Sequence, residues 1–344
     1  MDSFFASVEI LDNPALAGRP IAVGGRPDQR GVIATCSYQA RTFGVRSAMS
    51  SAQAVKLCPQ LLILPPRIDR YREVSQQLQQ LYAEFSDRIE PLSLDEAYLD
   101  FSDAQLHQGS ATLAAKAIRR RISEQTGLSA SAGVGPNKML AKIASDWNKP
   151  DGLFVIRPNE VAAFVVELPV SKLFGVGSVT EQKLRRMGIT TCGQLQRIAA
   201  NELSDRFGKF GTRLYQLCRG EDNRPVEPRR QRKSLGVEKT FSADLADFAS
   251  CEAALKSLFQ KLTERLERRL QGREKKITTL VLKITLSDFS RHTLQRTHPE
   301  PDWSLFRLLL QKAVSRYNLP VRLLGIAVRF GDDQFPCRQQ SLLP

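Results

Sequence analysis

The stretch Pro91-Leu-Ser-Leu-Asp-Glu-Ala-Tyr-Leu-Asp100 places two adjacent acids, Asp95 and Glu96, inside an otherwise apolar run. Leu92, Leu94, Ala97, Tyr98 and Leu99 around them read as a mostly buried strand or strand pair. A carboxylate in such surroundings is costly unless it is paired or bound to a metal. Neighbours on a regular strand face opposite sides, so both acids can reach one ion only where the strand turns. The preceding Ile89-Glu-Pro-Leu-Ser93 could supply that turn. Oxygen-only ligation of this kind suits Mg²⁺. A solvated Asp-Glu at a hairpin tip is the competing reading, and the dipeptide alone does not decide between them.

Composition narrows the choice. A chain of 344 residues exceeds what one hydrophobic core usually holds, and 42% hydrophobic residues exclude wholesale disorder. Two or more domains are therefore expected. Residues 1–150 carry 17 basic and 15 acidic side chains, a net of +2, whereas 151–344 carry the remaining 33 and 21, a net of +12. A near-neutral half that holds the carboxylates, followed by a strongly basic half, points to chemistry in one place and polyanion capture in another. Cysteines 36, 58, 192, 218, 251 and 337 show no C-x-x-C pairing and the three histidines are scattered, which argues against zinc. With no signal peptide and no apolar run near the length of a membrane span, a soluble, cytoplasmic protein with reduced thiols and no membrane partner is expected.

In chain order, Met1-Asp-Ser-Phe-Phe-Ala-Ser-Val-Glu9 starts abruptly in a segment that already reads as structured. Pro20–Gly25 and Gly31–Cys36 read as two short strands joined by a polar turn. In Ser37-Tyr-Gln-Ala-Arg-Thr-Phe-Gly-Val-Arg46, the residues Tyr38, Arg41 and Arg46 could face a phosphate, since arginine forks suit phosphate oxygens. A helix is predicted over 68–88 from the spacing of Tyr71, Val74, Leu78, Leu81 and Phe85, with another near 110–126. The strand Leu128–Gly135 then leads into a helix over 136–146, the pattern of an α+β sheet domain. Beyond about 158 the texture changes to short helices. Phe174-Gly-Val-Gly-Ser-Val-Thr-Glu-Gln-Lys-Leu184 fits a helix-hairpin-helix, with Gly175 and Gly177 aiming backbone N–H groups outward toward a nucleic-acid backbone. Phe207-Gly-Lys-Phe-Gly211 reads as a degenerate second copy. After the basic connector 227–234 come a strand, a long helix over 247–271, two strands, a helix over 302–317 and a last strand, a split βαβ arrangement. Lys283, Arg291, Arg296, Arg322 and Arg329 on its strands suggest a basic sheet face.

Taken together, Ser93-Leu-Asp-Glu-Ala-Tyr-Leu-Asp100, the run Ser131–Asp146, Phe174-Gly-Val-Gly177 and Lys233-Ser-Leu-Gly-Val-Glu-Lys-Thr240 resemble the bacterial Y-family translesion DNA polymerases. The resemblance runs nearly end to end, with its motifs in the right order. It implies an α+β multidomain right hand: a palm (1–2 and 67–157), small fingers (3–66), a helical thumb with the helix-hairpin-helix (158–226), a linker (227–234), a little finger of split βαβ form (235–333) and a tail (334–344). It also implies a monomer that carries out error-prone, template-directed DNA synthesis without proofreading, on primer-template DNA and deoxynucleoside triphosphates. Asp95 and Glu96 match the catalytic, metal-ligating acids of a two-Mg²⁺ site. Tyr38, Arg41 and Lys149 match the triphosphate contacts. Phe5 matches the steric gate that excludes a ribose 2′-hydroxyl, with Phe4 stacking beside it against the nucleotide. Gly175, Gly177, Lys233, Arg291 and Arg296 are the expected DNA contacts. In the tail, Gln339, Leu342 and Leu343 resemble the peptide by which bacterial polymerases dock on the sliding clamp.

One departure stands against these matches. The family's first strand ends in D-x-D-x-F-F, and its first aspartate is shared by both metals. Met1 stands at that x, Asp2 matches the second, normally non-ligating acid, and two acids do not easily hold two divalent ions. Either the true start lies upstream, the reading we favour because the other site residues are in place, or the chain is a catalytically impaired DNA-binding relative. A nucleotide cyclase on a similar palm fits the helix-hairpin-helix and the basic second half poorly.

Overall fold

The computed structural model describes residues 1–103, 106–228, 231–270 and 275–331. Among these, no helix is long and apolar enough to cross a membrane. The chain divides into two units, one made of 1–24, 33–49 and 53–230, the other of 25–32, 50–52 and 231–344.

The first unit opens with helix α1 (Phe4–Asp12), followed by strands β1 (Ile21–Gly24) and β2 (Ile33–Cys36), the short helix α2 (Tyr38–Thr42), helix α3 (Ser51–Leu57) and strand β3 (Leu62–Leu64). β1 is buried along its length because it is the middle strand, antiparallel to β2 and parallel to β3. Helix α4 (Ile68–Ala83) follows its apolar period: Tyr71, Val74, Leu78 and Leu81 are buried on one face. They share a core with Phe4 and Val8 of α1 and with Ile118 and Ile122 of helix α5 (Ala111–Thr126). Between α4 and α5 lies the hairpin of β4 (Ile89–Pro91) and β5 (Ala97–Leu99).

After α5, strand β6 (Ala132–Val134) runs into helix α6 (Lys138–Trp147), which Asn137 caps by accepting the Leu140 N–H at 3.0 Å. β6 pairs in parallel with β7 (Leu153–Val155). Helix and strand lie so close that a Cβ on Gly133 would stand 2.1 Å from the Ala141 carbonyl oxygen, so only glycine permits this packing. Five short helices complete the unit: α7 (Val161–Glu167), α8 (Ser178–Arg186), α9 (Cys192–Leu195), α10 (Ala200–Phe207) and α11 (Lys209–Leu217). Leu168, Leu184, Leu195, Leu203 and Leu214 are buried between them.

The segment that leaves α11 is stitched back onto this framework. Asp222 is buried and accepts from the Met139 N–H at 3.1 Å while Arg224 grips both its oxygens at 2.7 Å. Glu90 of β4 and Lys138 of α6 form a buried ion pair. Glu90 also accepts the Glu227 N–H at 2.8 Å, and Lys138 donates to the Pro225 carbonyl at 2.9 Å.

In the second unit, β8 (Ser234–Leu245), α12 (Phe248–Leu270), β9 (Ile277–Leu286), β10 (Arg291–Thr297), α13 (Trp303–Tyr317) and β11 (Val321–Phe330) form an antiparallel sheet of order β10-β9-β11-β8. Leu280, Leu282, Ile284, Leu324, Ile326 and Val328 alternate onto one face and share a core with Leu255, Leu258 and Leu262 of α12 and Phe306 and Leu310 of α13. This is the split βαβ order read from the sequence.

Burial would push the Glu90 carboxyl up, but the Glu227 N–H and the Lys138 ammonium outweigh it and hold the group below the ordinary carboxylate range. Lys138→Met should therefore cost roughly 3–5 kcal/mol by stranding a buried charge. Because a lowered pKa contributes stability above the ordinary carboxylate value and loses it as pH falls, the gap to wild type should narrow below about pH 4. Urea unfolding at neutral and acid pH checks both; an equal gap at the two would show that this pair is not the acid-sensitive element.

Candidate active site

Asp95 and Glu96 lie in the turn of the β4–β5 hairpin rather than in a buried strand. The turn closes through Leu92 N–H to the Glu96 carbonyl at 2.9 Å, and the residues around it are half-buried. The expected turn before the acids is thus a turn that contains them, which frees neighbouring side chains from strand alternation. Both line one cavity of about 660 Å³, together with Tyr98, Lys142 and Lys149. Ser93 Oγ donates to Asp95 Oδ1 at 2.7 Å and accepts the Asp95 N–H at 3.2 Å, so the turn orients its own acid. Glu96 Oε1 accepts from Lys142 Nζ at 2.6 Å. The Met1 amine donates to the Asp95 carbonyl at 2.8 Å.

Asp2 has a different task. It is 2% exposed, and its carboxylate accepts Ser129 Oγ at 3.0 Å, Ser131 Oγ at 2.8 Å and the Asp151 N–H at 2.9 Å. With its oxygens taken up by the protein, it acts as a clamp between the first residues, β6 and the turn after α6.

Near Asp2 and Lys149 are groups suited to an anion. The Tyr38 hydroxyl and Arg41 Nε are buried without hydrogen-bond partners, and the guanidinium lies 4.7 Å from the Tyr38 ring centre. Burial, then the charge of Asp2, raises the Tyr38 hydroxyl above its ordinary range. Lys149 pairs with Asp146 at 2.9 Å. Burial would lower its ammonium, but Asp146, with Asp2 and Tyr38, more than offsets this and keeps it charged. Those couplings place Tyr38, Asp2 and Lys149 in one neighbourhood. Orphaned buried donors are costly in a free protein and point to a ligand that completes them.

The donor set suits a hard divalent cation, since two carboxylates open onto the cavity. Among the described residues no third acid, cysteine or histidine joins them. Two carboxylates plus ligand phosphates are a common magnesium set.

Phe4 and Phe5 part company. Phe4 is 3% exposed in the α1–α4–α5 core. Phe5 is half-buried, stacked on Tyr71 with centroids 4.2 Å apart and planes 12° apart. Tyr71 is fixed in turn by donating to Glu9 at 2.6 Å.

Gly175 adopts φ +88°, closed to ordinary side chains, and a Cβ there would come 2.9 Å from the Phe210 ring; Gly177 has open space around it. The hairpin before α8 therefore rests on the second one, where Gly208 links α10 to α11 at φ +60°. Val179 is 80% exposed beside it. In the second unit, Arg291 opposes Thr285 and Arg296 opposes Leu280. The latter turns with the core-facing residues, so the two arginines lie on opposite faces of an edge strand. The open face carries Lys283, Arg291 and Arg329, while Arg322 stands beside the register shift between Val321 and Leu323. The expected single basic face is thus split by strand parity. Lys233 is exposed, and the tail with Gln339, Leu342 and Leu343 lies outside the described residues.

Sequence reasoning missed Lys142, Lys138, Glu90 and the clamp role of Asp2. The only sequence signal was the i, i+4 spacing of the two lysines on one helix face.

Three family profiles match the chain: the impB/mucB/samB family over 1–146, the thumb domain of DNA polymerase-iota over 171–222, and the impB/mucB/samB C-terminal domain over 232–342. The chain is 50% identical to a DNA polymerase IV of Ralstonia nicotianae over 341 residues, covering 99% of this chain and 95% of the relative. It is 50% identical to those of Pseudomonas putida, over 100% of this chain and 96% of the relative, and Legionella pneumophila, over 96% and 92%. Among solved structures, a Y-family DNA polymerase chimera matches with TM-score 0.86 at 28% identity, covering 95% of this chain and 96% of that one. The insertion ternary complex of Dbh DNA polymerase matches with TM-score 0.65 at 28% identity, covering 96% of each chain.

Tyr38→Phe removes a hydroxyl that has no partner to lose. Its thermal midpoint should equal or exceed that of wild type; a loss of more than about 1 kcal/mol would show that the hydroxyl is bonded in the free protein.

Proposed function

We propose, since this chain belongs to the DNA polymerase IV group of the Y-family DNA polymerases, that the cavity beside Asp95 and Glu96 is where it joins a deoxynucleotide to a primer. It is an error-prone, template-directed DNA polymerase of translesion synthesis and repair, metal-dependent and acting on DNA and nucleotides. The observation that carries the site assignment is the pair of adjacent carboxylates opening onto the cavity that Lys149 lines, in a neighbourhood where Tyr38 and Arg41 hold unpaired buried donors.

Asp95 and Glu96, together with the phosphates of the nucleotide, would hold Mg²⁺, two ions in our reading, and the bound metal would supply activation of the primer hydroxyl and neutralisation of the leaving pyrophosphate. Tyr38, Arg41 and Lys149 orient the triphosphate, their charge and hydrogen bonds aimed where negative charge gathers. Phe5, held flat by Tyr71, closes the space under the sugar. In the first unit, β4–β7 with α4–α6 form the palm, the β2-β1-β3 sheet the fingers and α7–α11 the thumb; the β8–β11 domain is the little finger. Gly175 and Gly177 hold the DNA backbone without reading sequence, and Lys233, Arg291 and Arg296 add phosphate contacts. The enzyme works as a cytoplasmic monomer tethered to the sliding clamp through Gln339, Leu342 and Leu343.

Primer extension with Mg²⁺ tests the site. Asp95→Ala and Glu96→Ala should each lose extension by a factor of about 10² or more while DNA binding persists, the cost of removing charge stabilisation from the transition state. In the same assay Phe5→Val should admit ribonucleotides. Near wild-type extension by either acid variant would remove the assignment, and unchanged sugar discrimination would place the gate elsewhere. DNA binding with no extension by the unaltered chain would favour the other reading, a DNA-binding relative that does not polymerise, which the two-carboxylate set makes worth testing.

Deleting residues 339–344 should abolish stimulation by a sliding clamp and leave extension on short primers unchanged. Full stimulation of the truncated chain would refute the tether.

A further inference from the structure

Helix α6 presents two lysines four residues apart, each paired with an acid of the β4–β5 hairpin, and the two pairs differ in kind. Lys138 and Glu90 are sealed in, with side chains 8% and 12% exposed. Lys142 and Glu96 are open, at 34% and 36%, and face the cavity. A sealed pair is a permanent strut, because removing either charge strands the other. An open pair contributes little and is exchanged readily with solvent or with another ion.

Lys142 Nζ stands 2.6 Å from Glu96 Oε1, one of the two oxygens through which Glu96 can hold a cation. Helix α6 is seated directly on β6 at Gly133. A long, flexible lysine side chain leaves more readily than a seated helix moves. One turn further along the same face is Asp146, whose side chain is half exposed; partial desolvation would raise its carboxyl, but Lys149, then Lys142, hold it below the ordinary range. An ammonium displaced from Glu96 thus stays within the field of a second carboxylate.

We propose that Lys142 is a built-in competitor for the divalent cation at Glu96, a proposal that rests on the reading of Asp95 and Glu96 as metal ligands. In the free protein its ammonium stands in for the ion. A cation that takes the same oxygen must displace it, and one that takes the other oxygen must tolerate it nearby, so in either case the lysine holds down the affinity of the site for bare metal. A purely positioning lysine would do the reverse, presenting Glu96 in the right rotamer and strengthening metal binding. The two roles differ in sign.

Terbium(III), a hard cation whose luminescence can be excited through tyrosine, gives a readout independent of activity, since Tyr82 and Tyr98 line the cavity. Lys142→Met should bind terbium roughly two- to five-fold more tightly than wild type, the scale of an open ion pair. Lys142→Arg, which keeps the charge, should stay near wild type. Glu96→Gln should weaken binding, and Lys142→Met added to it should change nothing further. Unchanged or weaker binding by Lys142→Met, with Glu96→Gln weakened, overturns the competition and leaves the metal reading standing. Equal binding by Glu96→Gln and wild type, or no terbium bound by wild type, overturns the metal reading itself. Thermal melts of each variant confirm that the fold is retained.

Discussion

Three donors from two parts of the chain close on the buried carboxylate of Asp2, and the geometry of the cavity follows from that closure. Ser129 and Ser131 belong to the approach and start of β6, and Asp151 to the turn that follows α6. One charge with well-formed hydrogen bonds thereby fixes the start of the chain, the strand beneath α6 and the loop that carries Lys149. Charge-assisted bonds of this kind are among the stronger ones in proteins, and a low local dielectric makes each more directional and costlier to break. Phe4 and Phe5 follow Asp2 by two and three residues, so the placement of α1 inherits the same anchor.

Around that anchor the molecule separates permanent interactions from exchangeable ones. Glu90, Lys138 and Asp222 are enclosed, Arg224 is partly exposed, and the four hold the segment after α11 against β4 and α6. The groups in and near the cavity are incomplete by comparison: a buried hydroxyl and a guanidinium nitrogen with no partner, and a carboxylate whose paired lysine is about one-third exposed. Rigid polar struts behind an under-satisfied surface are what a site needs if its ligand is to supply the missing interactions without moving the walls.

What could be read in the sequence was local or periodic. The acids were conspicuous because they interrupt an apolar run, α4 because Tyr71, Val74, Leu78 and Leu81 keep a helical period, and the last domain because its strands and helices alternate in order. The single basic sheet face was misread through parity: Arg291 and Arg296 are separated by an odd number, so a strand sends them to opposite faces. Phe4 beside Phe5 on a helix points some 100° away, into the core. What could not be read was set by distance along the chain. Asp2 finds partners 127 and 129 residues away, and Glu90 bonds to a backbone 137 residues on. No window of sequence contains both ends of such a contact.

Helix α6 has a further implication for how the site can fail. Lys138, Lys142 and Asp146 are spaced at four residues, about 6 Å apart along one stiff rod. The bare Cα of Gly133 lets that rod seat directly on β6. Strut, cavity cation and the partner of Lys149 are therefore mechanically ganged. Damage to the seat of the helix would not degrade them one by one but would detune all three together, and errors in their positions would be correlated rather than independent.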